Sequence, residues 1–358
     1  VGATLVIAPR DASLDGQLCA TLMARHRVTN MLATPSTWRI LLDAGWQGGK
    51  DLRIIAAGEA LPRHLAEVLQ GMGKSLWNGY GPTEITVIAT YYEVRDLNRP
   101  MFIGLPIDNS FIYILDEHQK PLPIGVPGEV FIAGAGVTNG YLKRPEMTAE
   151  RFVANPYDSR FGGVMYKTGD LARFADDGLI EYLGRNDDQV KIRGFRIELG
   201  EVEAAIFRFP SVDKAALLVR EDQPGDKRLI AYAAAKPGLP LSVPELRAFM
   251  QQALPAHMVP AQFVIIDQMP LSPNGKIDRR ALPKPELPRT DSSRIKIPRG
   301  AIETAMVEVW RAVLGVDRIG VDDNFFEMGG NSLLAVRMVA RLKADKGITV
   351  PVLKLFQT

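Results

Sequence analysis

The chain has 358 residues, 46% of them apolar, with 43 Lys and Arg against 41 Asp and Glu for a formal net charge of +2. That length and composition fit a globular chain of two or three domains with a sizeable core. The near-neutral balance argues against nucleic-acid or anionic-membrane partners, no apolar run is long enough to span a bilayer, and the single cysteine, Cys19, excludes an intrachain disulfide framework and suits a reducing cytoplasm.

Residues 1–8 form an apolar run that reads as a buried strand with no signal peptide. Helices are expected over 18–25, 36–44 and 61–72, and strands over 28–33, 52–57 and 75–78. Strands alternating with helices at this spacing predict a parallel sheet with helices on its faces. Ligands of such sheets bind beyond the carboxyl ends of the strands. Those ends are Thr34, Gly58-Glu59 and the loop Gly79-Tyr80-Gly81-Pro82-Thr83-Glu84. Its glycines let backbone approach a ligand, Tyr80 offers a flat face to a base, Thr83 a hydroxyl to a phosphate, and Glu84 a hard oxygen ligand for Mg²⁺. A plain tight turn explains the same pattern equally well.

From Tyr91 the pattern turns to β, with strands over 111–115 and 129–132. Gly134-x-Gly136 follows a strand but opens no helix, which excludes a dinucleotide fingerprint. Asp170, after a glycine in Tyr166-Lys167-Thr168-Gly169-Asp170-Leu171, either accepts two ribose hydroxyls or caps a turn. A strand over 179–183 leads into a charged, glycine-punctuated stretch, 184–203, that reads as a hinge between compact units.

Beyond it, Val202, Ala205, Ile206 and Phe209 share one helix face. Strands follow over 215–219, 229–235 and 263–267, and Ser242 stands as a helix cap. Lys276 sits past the Pro273-Asn274-Gly275 turn, where a lysine is otherwise a solvated charge. Residues 282–298 are a proline-rich linker. Ile302, Met306, Val309, Trp310 and Val313 line an amphipathic helix, and Ser332 opens the helix after Gly329-Gly330. His26, His64, His118 and His257 lack metal-ligand spacing.

Taken together, NGYGPTE from Asn78, GEVFIAGAGVTNGYL from Gly128, YKTGDL from Tyr166, the stretch from Gly184, LPAHMVP from Leu254, NGKIDR from Asn274 and DNFFEMGGNSL from Asp323 resemble, in order and approximate spacing, the adenylation domain of a nonribosomal peptide synthetase followed by its peptidyl carrier domain. The resemblance covers essentially the whole chain. It implies a fold of mixed α/β and α+β character: a partial adenylate-forming large lobe (an α/β sheet plus a small β unit, 1–184), a small α+β C-terminal lobe (185–285), a linker (286–298) and a truncated helical carrier bundle (299–358). It implies an ATP-dependent acid–thiol ligase that adenylates an amino acid or related carboxylic acid and passes it to the carrier. ATP, Mg²⁺ and 4′-phosphopantetheine are the implied cofactors.

By the same resemblance, Asn78, Tyr80 and the backbone of Gly58, Glu59 and Ala60 surround adenine. Thr83 meets the AMP phosphate, Glu84 holds Mg²⁺, and Asp170 holds the ribose. Tyr182 and Arg185 close over the nucleotide, Lys276 bridges carboxylate and α-phosphate, Asp187 is the hinge, and Ser332 carries the pantetheine arm. The substrate pocket falls to Ala33, Ile55, Ala57, Gly79, Val87 and Ile88, whose apolar character favours an apolar or aromatic side chain. Implied partners are the amino acid, a phosphopantetheinyl transferase, neighbouring synthetase domains such as condensation domains, and an MbtH-like protein, in the cytoplasm. The family's Gly/Ser/Thr-rich phosphate loop and its amine-gripping aspartate occur nowhere in these residues, and the carrier stops before its expected last helix, so the chain is expected to be a piece that is inactive alone. An acyl-CoA ligase shares the first step but lacks a fused carrier; a non-catalytic docking module is the reading from another class.

Overall fold

The computed structural model describes residues 2–9, 12, 15–186, 189–192, 194–221, 227–271, 277–285, 296–316, 318–325, 328, 330, 332–348 and 350. The chain divides into two compact units, one built mainly from Ala20–Arg39 and Trp46–Gly194, the other mainly from Phe195 onward. Arg185 and Gln189, just past residue 184, bond into the network around Asp170 described below.

The alternation read from the sequence is present as α1 (Gly16–Arg25), β1 (Asn30–Ala33), α2 (Pro35–Asp43), β2 (Gly49–Ala57), α3 (Arg63–Gln70) and β3 (Gly73–Tyr80). β1, β2 and β3 pair in parallel. In β2, Leu52, Ile54 and Ala56 are buried, alternating with more open positions, as expected of a sheet covered on one face. α3 packs on β3 and buries Leu65, Ala66 and Leu69; each fully buried leucine contributes about 2 kcal/mol.

The sheet then turns antiparallel through β4 (Thr90–Glu93) and β5 (Phe102–Pro106). β6 (Ser110–Leu115), β7 (Gly128–Gly134), β8 (Phe152–Ala154), β9 (Val164–Phe174) and β10 (Ile180–Arg185) follow, with α4 (Pro145–Arg151) before β8. The α/β sheet and the small β unit expected as separate pieces form one path, β1-β2-β3-β4-β5-β10-β9-β7-β6, joined where β5 pairs with β10.

Residues 2–9 do not form the expected strand, and Leu5 and Ile7 are exposed. An apolar run becomes a strand only beside a partner that takes up its backbone hydrogen bonds, and β1 ends the sheet with no further neighbour among the described residues.

The second unit holds β12 (Phe195–Glu198), α5 (Leu199–Phe207), β13 (Val212–Glu221), β14 (Lys227–Ala235), α6 (Val243–Ala253) and β15 (Gln262–Ile265), after β11 (Gln189–Ile192) in the first. β13, β14 and β15 form a sheet, and α5 buries Leu199, Val202, Ala205 and Ile206. Ser242 occupies the N-cap position of α6, but its hydroxyl makes no capping bond. Two further helices, α7 (Ala301–Leu314) and α8 (Ser332–Lys346), pack through Val309, Phe325, Leu334, Ala335, Met338 and Leu342. Ile302, expected on the buried face of α7, is exposed, while Ala305, Val307 and Val309 are buried.

Candidate nucleotide site

A cleft opens at the carboxyl ends of β2 and β3. Gly58, Glu59, Ala60, Leu61, Asn78, Gly79, Tyr80, Gly81, Met101, Ile103, Tyr182 and Lys191 line it. Gly58 turns the chain out of β2 with φ of +87°, a left-handed conformation that glycine adopts without a Cβ penalty. Asn78 lies in β3 as expected, and Gly79 and Tyr80 continue that strand rather than opening the loop. Asn78 lines the cleft, and its Nδ2 donates to the Phe102 carbonyl at 2.8 Å, which ties β3 to β5. The Glu59 carboxylate accepts the Ser36 hydroxyl at 2.9 and 3.1 Å.

Asp170 lies inside β9, where the strand is irregular. The register against β7 shifts between Glu129 and Phe131, and Gly169 takes φ of +76°. Thr168 mends the broken ladder: its hydroxyl donates to the Val130 carbonyl at 2.7 Å and accepts the Asp170 N–H at 3.0 Å. Bulges of this kind re-aim a side chain beside functional sites. Here the buried Asp170 carboxylate receives the Tyr80 hydroxyl at 2.6 Å, Arg185 Nη1 at 2.8 Å and, more loosely, the Tyr182 hydroxyl at 3.3 Å. Arg185 also donates to the Thr168 carbonyl and to Gln189. Burial, and then the charge of Asp170, pushes the Tyr80 phenol well above its ordinary value, so its hydroxyl remains a donor.

The Asp170–Arg185 pair is nearly dry, with side chains 2% and 10% exposed. Removing one partner of such a pair leaves an uncompensated charge, at a cost of about 3 kcal/mol. Asp170→Asn is expected to lower stability by about that amount, read from the urea midpoint at constant m; an unchanged midpoint would show that the pair adds nothing to the fold.

Glu84, buried at 8% exposure, lies in the short 3-10 turn Thr83–Ile85. Its Oε1 accepts the Tyr141 hydroxyl at 2.6 Å and the Tyr166 hydroxyl at 2.8 Å. Thr83 is exposed at the start of the same turn. Among the described residues no group of three or more His, Cys, Asp or Glu could form a metal cluster by itself.

Of the expected substrate pocket, Ala57, Gly79 and Ile88 come together: a Cβ on Gly79 would lie 2.9 Å from Ile88 Cδ1 and 3.4 Å from Ala57 Cβ. Tyr91, not anticipated, would be 3.2 Å away and stacks edge-on against Trp77. Ile55 lies two residues before Ala57 and shares its face. Val87 is exposed. Ala33 pairs in register with the fully buried Ala56, whereas Leu32 pairs with Ile55. A slip of one residue in a strand changes the face, so Leu32 shares the side of Ile55 and Ala57, and Ala33 does not.

Lys191 was also missed by sequence reading: its Nζ lies 6.0 Å from the Tyr80 ring centroid. Lys276 and Asp187 lie outside the described residues, as does the side chain of Ser332, the first residue of α8.

Comparison with known proteins follows the division of the chain. Residues 1–142 match the AMP-binding enzyme family, 201–276 the AMP-binding enzyme C-terminal domain, and 304–358 the phosphopantetheine attachment site. The chain belongs to the adenylate-forming enzymes, in the adenylation-plus-carrier arrangement of the nonribosomal peptide synthetases. Relatives include a dimodular nonribosomal peptide synthase of Bacillus subtilis (strain 168), 45% identical over 356 residues, 99% of this chain and 15% of that protein. Bacitracin synthase 3 of Bacillus licheniformis is 44% identical over 362 residues, all of this chain and 6% of that protein. Among solved structures, holo-PA1221, described as an NRPS protein containing adenylation and PCP domains bound to a vinylsulfonamide inhibitor, is 30% identical with a TM-score of 0.75. The match covers 93% of this chain and 55% of that one. The chain thus spans only a small part of the curated relatives it matches. No helix among the described residues is long and apolar enough to cross a membrane.

Proposed function

We propose that this chain is part of a synthetase module that activates an amino acid as its acyl-adenylate and hands the acyl group to its own carrier. The observation that carries this is the pair of buried carboxylates, Asp170 on β9 beside the aromatic cleft and Glu84 on the turn that follows β3, held by two tyrosine hydroxyls. The residues fit the groups they would hold. Asp170 is an acceptor for ribose hydroxyls once the Tyr80 hydroxyl gives way, and the Gly58–Ala60 backbone with the Tyr80 ring suits a flat base. Mg²⁺ is usually bound by one or two carboxylates together with substrate phosphates, which matches a single buried Glu84 with the Thr83 hydroxyl on the same turn. Bound Mg²⁺ supplies charge neutralisation on the phosphates.

Lys276 is the proposed cation that joins the attacking carboxylate to the α-phosphate; charge builds there in the transition state, where a positioned donor has most effect. Asp187 is the proposed pivot, Ser332 the attachment residue, and 286–298 the tether of the carrier at 299–358. Bound phosphopantetheine supplies the thiol. The substrate side chain sits on the sheet face of Ile55, Ala57, Gly79 and Ile88, now with Leu32 and Tyr91. That face supports an apolar or aromatic amino acid, since a charged side chain would find no partner among these residues.

Proposed partners are a phosphopantetheinyl transferase, adjoining domains such as condensation domains, and an MbtH-like protein. A cytoplasmic setting is supported by the single cysteine. ATP–pyrophosphate exchange tests the reading. The full-length protein that carries this chain is expected to exchange label with an apolar or aromatic amino acid and not with lysine or aspartate. No exchange with any amino acid, or release of free acyl-CoA instead of carrier loading, would overturn it.

A further inference from the structure

The glycine-rich segment 134–142, which no ligand contact explains, packs against the turn that carries Glu84. The Thr138 N–H donates to the Glu84 carbonyl at 2.9 Å, and the Thr86 hydroxyl donates to the Gly136 carbonyl at 2.9 Å. Gly136 comes so close that a Cβ there would lie 2.8 Å from the Ile85 carbonyl oxygen. The segment ends at Tyr141, whose N–H donates to the Thr148 hydroxyl at 2.9 Å and whose ring meets Phe152 edge-on. Phe152 in turn packs on Tyr166, with ring centroids 5.1 Å apart. The two tyrosine hydroxyls, 3.5 Å from each other, converge on one oxygen, Glu84 Oε1.

We propose that segment 134–142 is a clamp that orients the Glu84 carboxylate for its divalent cation, with Tyr141 and Tyr166 as positioning residues. The inference rests on Glu84 being the cation ligand. Two donors on one oxygen fix both the rotamer and the plane of the carboxylate, so the cation meets it in a single orientation. Neither hydroxyl is needed to hold the segment, which the backbone bonds and the aromatic contacts retain. The hydroxyls therefore serve the carboxylate rather than the loop. Partners of ligating carboxylates typically change metal affinity by about 10- to 100-fold when removed.

The test uses the full-length protein with Tyr141→Phe, Tyr166→Phe, the double variant, Thr148→Val and Glu84→Gln. Mn²⁺ affinity is read by electron paramagnetic resonance in the presence of a non-hydrolysable ATP analogue, and the half-saturating Mg²⁺ concentration is read by exchange. Each Tyr→Phe variant is expected to weaken Mn²⁺ binding about tenfold, and the double variant more. Circular dichroism should be unchanged, and the Mg²⁺ requirement should rise more than the KM for ATP. Thr148→Val, which frees the Tyr141 backbone and leaves both tyrosine hydroxyls in place, should move the same way by a smaller factor. Wild-type Mn²⁺ affinity in the double variant, with Glu84→Gln impaired, overturns the clamp while leaving Glu84 as ligand. Wild-type affinity in Glu84→Gln overturns the assignment of Glu84 itself.

Discussion

Replacing Ser332 by Ala is expected to abolish loading of this carrier with phosphopantetheine completely. Ser332 opens α8, and a helix N-terminus carries partial positive charge that favours a phosphodiester. Farther along the helix, Leu334, Ala335, Met338 and Leu342 are committed to the core shared with α7, so the helix is anchored from its third residue onward and its first residue stands at an end. In the full-length protein incubated with coenzyme A, Mg²⁺ and a phosphopantetheinyl transferase, intact mass should show one adduct fewer on Ser332→Ala than on wild type. If wild type stays unmodified while another carrier is loaded in the same mixture, the carrier assignment falls.

The second large effect is kinetic. Lys276→Ala should slow adenylation at least about a hundredfold, the scale of losing one donor aimed at developing charge. Transfer of a preformed acyl-adenylate to the carrier should suffer far less, because a lid that swaps between two steps removes the lysine before the second. Equal losses in both half-reactions would contradict that separation. The same pair of assays examines Asp187: proline there fixes φ and deletes an N–H, so a pivot should keep one half-reaction and lose the other. A variant that performs both at wild-type rates is not altered at its pivot.

Local features of the site were readable; long-range ones were not. Gly58, Tyr80 and Glu84 could be picked out because glycine pairs, aromatic faces and hard oxygens have local meaning. That the Tyr80 hydroxyl would be bound to Asp170, 90 positions away, depends on which strands neighbour each other, and no periodicity encodes it. Tyr141 and Tyr166 were both inside quoted motifs, yet their role appears only when β9 and segment 134–142 meet the turn at Glu84. That the Asn78 amide also ties β3 to the Phe102 carbonyl likewise depends on which strands are neighbours. Which of Leu32 and Ala33 shares the side of Ile55 is set by the pairing of β1 with β2, and no local signal encodes it. Residues 2–9 had the right composition for a strand and lacked a neighbour.

Tyr166 and Asp170 lie on one strand, four positions apart, one reaching Glu84 and the other the cluster around Tyr80. At about 3.3 Å per residue this sets a span of roughly 13 Å, less whatever the bulge takes up. A paired strand does not stretch, so in the proposed reading, with the ribose on Asp170 and the cation on Glu84, β9 sets a fixed gauge between the two ends of a nucleotide. An analogue that changes the distance between ribose and phosphate is then expected to bind less well than one that changes the base.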